Sequence, residues 1–212
     1  EGLVLEESVR AWTGLVPGKG LEAVLRELRS PESGAGKAPA GLAAQLRPYQ
    51  LAGYFWLRFA TRLGLGACLA DDMGLGKTVQ VIALLLDRKI QDKKQPAIAK
   101  NRRPSLLVVP ASLIANWKAE LARFAPGLSL VVAHPSEQAQ GGAPLGAKGV
   151  AGLDLVITTY GMLPRLSWMA KYSWDLVILD EAQAIRNSGT VQARAVKVLS
   201  ARSRVAMTGT PV

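Results

Sequence analysis

One stretch of eight residues could do phosphate chemistry: Asp71-Asp72-Met73-Gly74-Leu75-Gly76-Lys77-Thr78. Glycines let backbone N–H groups wrap a phosphate that a side chain would block. A helix opening at such a turn aims the positive end of its dipole at the anion. Lys77 would reach the β- and γ-phosphates of a nucleoside triphosphate, and Thr78 would place its hydroxyl on Mg2+. Such loops usually read G-x-x-x-x-G-K-[ST]; here Asp71 stands at the first glycine position. A dinucleotide turn is excluded, because Gly74-Leu75-Gly76 would need another glycine where Val79 stands.

A phosphate loop also needs a carboxylate for its metal and a group that orients water. Asp180 and Glu181 follow the apolar run Leu176-Val177-Ile178-Leu179. A carboxylate at the C-terminal end of a parallel strand faces the crevice where ligands bind. Asp180 is therefore the metal candidate beside Thr78, and Glu181 the base that polarises the attacking water. Lys77, Asp180 and Glu181 form the expected catalytic set, with a nucleoside triphosphate and Mg2+ as its ligands.

The elements that must position these groups alternate along the chain. Apolar runs at 66–70, 106–110, 128–134, 154–160, 175–180 and 204–209 read as strands. Helical patterns occupy 45–63, 78–90, 113–125 and 191–201, with a further helical stretch between 160 and 175. The strands are continuously apolar, as when helices cover both faces of a parallel sheet. An α/β domain with a mostly parallel central sheet follows. Ahead of it, Leu21, Val24, Leu25 and Leu28 predict a short helical lead-in, and 30–41 reads as a linker. The division is therefore 1–41, unassigned, and 42–212, the catalytic domain.

Composition narrows the classes. The chain has 212 residues, 49% apolar and 20% charged, which is ordinary globular usage. One cysteine, Cys68, and one histidine, His134, exclude a disulfide framework and histidine-rich metal sites. No run approaches a membrane span, so a soluble cytoplasmic protein is expected. The ends, Glu1 and Val212, read as cuts from a longer protein. The net charge of +10 lies in two segments. Residues 88–104 carry +6 and residues 182–212 carry +5, leaving −1 for the rest. Clustered positive charge attracts a polyanion, most often nucleic acid. Residues 88–104 by themselves read as a solvated loop.

Six motifs in order carry a resemblance. Asp180-Glu181-Ala182-Gln183 resembles the DEAD/DEAH-type box of superfamily-two helicases, with glutamine last. Leu46-Arg47-Pro48-Tyr49-Gln50 resembles the adenine-reading motif of the Swi/Snf-type translocase family. Residues 70–78 resemble its first motif, where aspartate at the first glycine position is usual. Residues 110–117 (PASLIANW) resemble motif Ia, 154–160 (DLVITTY) motif Ib, 180–187 (DEAQAIRN) motif II and 207–211 (MTGTP) motif III.

The resemblance implies the first RecA-like, ATP-binding lobe of a bacterial or archaeal, nucleoid-associated translocase. It covers about residues 42–212. It assigns the ATP site to Arg47, Gln50, Asp72, Met73, Gly74, Leu75, Gly76, Lys77 and Thr78. It makes Thr208, Gly209 and Thr210 the coupling residues between nucleotide and DNA. It places Ser112, Asn116, Thr158 and Thr159 on the DNA backbone. The implied partners are double-stranded DNA, a second RecA-like lobe of the same parent chain, and a DNA-bound protein such as RNA polymerase. An RNA helicase lobe and a basic nucleic-acid-binding module without motor activity are the alternatives. Trp117 reads as a packing anchor, Cys68 as core, and His134 has no assigned role.

Overall fold

The computed structural model describes residues 36–72, 74–94, 103–137 and 145–209. The chain divides into two units, Glu1–Ala35 and Gly36–Val212, and all described residues lie in the second. The lead-in helix, Met73, Thr210 and residues 95–102 of the basic segment therefore lie outside the described residues.

Helix α1 (Pro48–Arg62) opens with proline at its first position, where a missing N–H costs nothing. The Gln50 side chain closes that first turn by accepting from the Arg47 N–H at 3.0 Å. Strand β1 (Ala67–Leu69) leads through the glycine-rich loop into α2 (Lys77–Lys94). Strand β2 (Ser105–Val109) is followed by a 3-10 turn (Ala111–Leu113) that runs into α3 (Ile114–Phe124). Strands β3 (Leu130–Val132) and β4 (Leu155–Thr159) come next. Then follow α4 (Trp168–Lys171), β5 (Ser173–Leu179), α5 (Val191–Lys197) and β6 (Ser200–Met207).

The six strands form one parallel sheet in the order β1-β6-β5-β2-β4-β3. Successive side chains alternate between its two faces. Leu107, Val109, Leu155, Ile157, Leu176 and Ile178 pack under α1, α2 and α3. Leu106, Val108, Val156, Val177 and Leu179 pack on the other face with Met169, Trp174, Val196 and Leu199. Both faces are apolar, so β2 and β4 are buried along their whole length.

Four expectations change. Strand β6 begins at Ser200, not 204, because Ser200 pairs with Ser173 at the start of β5. That pairing shortens α5, which ends at Lys197 instead of 201. The β4–β5 connection holds only one helical turn, α4. Cys68 is exposed, because β1 is an edge strand of three residues. The basic segment is also partly consumed. Arg88 pairs with Asp175, and Lys89 Nζ lies 2.7 Å from Asp154 Oδ2, both at the N-terminal edge of the sheet.

Candidate functional site

The phosphate loop joins the C-terminal end of β1 to the start of α2. Gly74 and Gly76 have φ of +84° and +80°, where a side chain is strained. Gly76 is constrained twice: a Cβ there would meet Gln50 Nε2 at 2.3 Å. The same Nε2 donates to the Leu75 carbonyl at 3.0 Å. Gln50, expected at the adenine, thus also clamps the phosphate loop to α1. Arg47 is exposed at the start of that helix. Asp71, the residue at the first glycine position, has Oδ2 3.4 Å from Nε2 of the fully buried Gln80. Lys77 Nζ donates to the carbonyls of Asp71 (2.6 Å) and Asp72 (3.0 Å). Its ammonium is held inside the loop by neutral acceptors, which an arriving phosphate can replace.

Asp180 directly follows β5 across the crevice and is 8% exposed. Its Oδ2 accepts from Trp117 Nε1 at 2.7 Å, and its Oδ1 from the Glu181 N–H at 3.0 Å. The Tyr160 hydroxyl donates to its main-chain carbonyl at 2.8 Å. Burial pushes the Asp180 carboxyl above its ordinary value of 3.8, against the lowering by the Trp117 and Glu181 donors. Glu181 adds to the rise and Lys77 opposes it. Burial, reinforced by Asp180 and Glu181, also raises the Tyr160 phenol, so it remains a donor.

Glu181 is the sole non-glycine residue at positive φ (51°) among the described residues. Left-handed backbone at a bulky residue persists only when its surroundings enforce it. Here the Glu181 carboxylate accepts from Gln183 Nε2, and Gln183 Oε1 accepts from the Thr208 hydroxyl at 2.8 Å. Of the residues expected to couple the two ligands, Thr208, just after β6, reaches Glu181 through the last residue of the DEAQ box. Gly209 follows in an open turn.

These groups converge on one cleft of about 590 Å3. It is lined by Gln50, Gly74, Gly76, Lys77, Thr78, Asp180 and Glu181, among others. A hydroxyl, a single carboxylate and an incoming triphosphate are hard oxygen donors, the set Mg2+ prefers. No cluster of three or more histidine, cysteine or acidic side chains forms a metal cage among the described residues.

The expected nucleic-acid residues separate. Ser112 is exposed at the start of the α3 segment. Asn116 is also exposed, but it lines the same cleft as Lys77 and Asp180 and bonds Glu120 at 3.2 Å. It shares the helical stripe Leu113, Asn116, Trp117 and Glu120, which faces that cleft. Thr158 is fully buried, with its hydroxyl donating to the Ala133 carbonyl at 3.0 Å. This corrects its expected contact with DNA: strand alternation turns it into the core. Thr159 lines a second cleft of about 300 Å3 with Pro110, Ala111, His134, Tyr160 and Arg165. His134 Nδ1 lies 2.8 Å from the Ser136 hydroxyl oxygen and 3.3 Å from the Ser136 backbone nitrogen. His134 and Arg165 lie outside every motif, so no sequence signal marked them. Trp117 and Gln183 lie inside motifs, and only the fold reveals their partners.

A profile described as SNF2-related domain matches residues 49–212. A Bacillus subtilis protein named as an ATP-dependent helicase/translocase, YwqA, is 36% identical over 92% of this chain and 20% of its own length. TATA-binding protein-associated factor MOT1 of Saccharomyces cerevisiae is 34% identical over 83% of this chain and 10% of its own. The Sulfolobus solfataricus SWI2/SNF2 ATPase core in complex with double-stranded DNA superposes with a TM-score of 0.70 at 40% identity. That match covers 82% of this chain and 34% of the other. The chain thus spans a fifth or less of these two curated relatives. The six-stranded parallel sheet, the phosphate loop and the DEAQ residues across one crevice agree with these likenesses: the chain belongs to the SNF2-related domain family.

Proposed function

We propose that the chain is the first ATP-binding lobe of an ATP-hydrolysing translocase that moves on double-stranded DNA. The observation that carries this reading is the single cleft shared by Lys77, Thr78, Asp180 and Glu181. Lys77 leaves its carbonyl partners to meet the β- and γ-phosphates. Thr78 and Asp180 would hold the magnesium, which would neutralise charge on the phosphates. Glu181 orients the attacking water, and Gln50 and Arg47 receive the adenine. The Glu181–Gln183–Thr208 chain lets motif III sense the hydrolytic carboxylate. Ser112 and Thr159, with His134 and Arg165 beside them, offer contacts to DNA phosphates, which position a strand without reading sequence. The likeness to an SNF2 core bound to duplex DNA supports duplex as the track. The name of the MOT1 relative, a TATA-binding protein-associated factor, favours a DNA-bound protein as the target.

A second lobe completes such a site with cationic groups that stabilise the transferred phosphate, an effect worth ~10^3–10^5 in rate. The 212-residue chain is therefore expected to bind ATP weakly and hydrolyse little of it. The test measures hydrolysis by the protein carrying this lobe without nucleic acid and with duplex DNA, single-stranded DNA or RNA, against Lys77→Ala. Strong stimulation by duplex, lost in the variant, supports a translocase. Stimulation by RNA alone moves the lobe to the RNA helicases. Duplex binding with no hydrolysis under any condition leaves a binding module.

A further inference from the structure

The residues around α3 connect two clefts that the sequence treats as separate. Ala111, in the 3-10 turn that begins the segment, lines the cleft of Thr159, His134 and Arg165. Leu113, Asn116, Trp117 and Glu120 line the nucleotide cleft. The 3-10 turn runs straight into the helix, which places Trp117 about a turn and a half from its start.

Trp117 is the largest group on that path. Its indole is 1% exposed, packed among Leu121, Ile114 and the strand residues of the same core. A buried indole N–H needs an acceptor. The nearest choices in a core are backbone carbonyls, yet this one donates to the Asp180 carboxylate. Bonds to an ionised acceptor are shorter and stronger than neutral ones. No ion pair competes: Lys77 bonds only loop carbonyls among the described residues. Asp180 is thus held by a neutral donor on the helix whose start borders the other cleft.

We propose that Trp117 is a positioning residue, setting the Asp180 carboxylate for magnesium–nucleotide according to whether nucleic acid occupies the start of the α3 segment. The proposal rests on the reading of the two clefts as nucleotide and DNA sites. Its content is a coupling free energy, and coupling is reciprocal. DNA must change nucleotide affinity by the same factor as nucleotide changes DNA affinity.

The experiment closes that cycle. The affinity for a fluorescent ADP with Mg2+ is measured with and without a short DNA duplex, and duplex affinity with and without Mg-ADP. Wild-type protein is expected to show a coupling factor of ~5 or more in both directions. Trp117→Phe keeps the ring and removes the donor. It is expected to bring the factor within about twofold of unity, while each separate affinity changes less than about tenfold. Unchanged coupling in Trp117→Phe overturns the proposal, as does a wild type that binds both ligands without coupling. Failure of wild-type protein to bind nucleotide or duplex would instead overturn the underlying reading of the clefts. If Trp117→Phe does not fold, the 15N indole resonance of Trp117 in wild-type protein decides. It must move when duplex is added without nucleotide; an unmoved resonance overturns the proposal.

Discussion

The two ends of the sheet use the same residue types in opposite ways. At the N-terminal edge, cations and carboxylates close on one another: Arg88 on Asp175, and Lys89 on Asp154. At the C-terminal edge, Lys77 bonds main-chain carbonyls and Asp180 bonds an indole. Paired charges hold a fold together and offer a ligand little. Charges held apart by neutral partners leave their fields free for a phosphate and its metal. The difference separates structural from functional charge more sharply than any count of basic residues. It also moves Arg88 and Lys89 out of the basic segment's candidate surface.

The largest effect is expected at the closed end. Asp154 Oδ2 accepts from Lys89 Nζ (2.7 Å), the Ser129 N–H (2.6 Å) and the Ser129 hydroxyl (2.8 Å). Asp154→Ala removes the counter-charge of Lys89, which keeps only the Gly127 carbonyl, and leaves the Ser129 N–H without its acceptor, at a cost of ~3–5 kcal/mol. A thermal melt should fall by roughly 6–20 °C. The nucleotide affinity of the folded fraction should not change. A loss of affinity with an unchanged melt would merge the two ends into one system.

Lys77→Ala is the mirror experiment. It should lower hydrolysis by ~10^2–10^3-fold through a lost transition-state contact. The melt should barely move, because the partners of Lys77 are loop carbonyls near water. A drop of many degrees would mean that the lysine staples the loop.

The open end was the more legible one. Phosphate binding draws on consecutive residues, so glycine spacing, Lys77 and Thr78 declare themselves locally. Asp180 and Glu181 followed from their place after an apolar strand. The proposed nucleic-acid face gathers single residues from the ends of β2, β3 and β4, and spacing cannot say which way each one points. Thr158 and Thr159 are adjacent, yet one donates into the core and the other lines a cleft. Asn116 and Trp117 are adjacent as well, and the indole proved to be the group bonded to the Asp180 carboxylate. Edge position explains the misread Cys68, and strand pairing explains the early start of β6.

Two glycines sharpen the description of the open end. Gly76→Ala carries both a positive-φ penalty and a clash with Gln50, whereas Gly74→Ala has no atom within 4 Å of its new Cβ. Left-handed backbone costs a residue with a Cβ about 1–2 kcal/mol. Nucleotide binding by titration should weaken by roughly tenfold for Gly74→Ala. It should weaken further for Gly76→Ala, which also displaces the Gln50 clamp. Equal losses would show that the clamp is dispensable.

The smallest effect has an unusual sign. The ionised form of Asp180 is disfavoured in the folded chain, chiefly by burial, so its carboxyl titrates above 3.8. Between the unfolded and folded values the native state binds the extra proton, and stability falls as pH rises through that window. Above it, the folded protein carries an uncompensated cost. Asp180→Asn removes the charge while leaving an oxygen for Trp117 to donate to. The variant should therefore lose hydrolysis and still melt at or above the wild-type temperature at neutral pH. Its advantage should shrink as pH is lowered toward 3.8. At the closed end the same exchange of charge for amide, Asp154→Asn, should destabilise at neutral pH, because it leaves the Lys89 cation without its counter-charge. Melts of the two variants side by side, from acid to neutral pH, would read out which carboxylate serves the fold and which is held against it for a ligand.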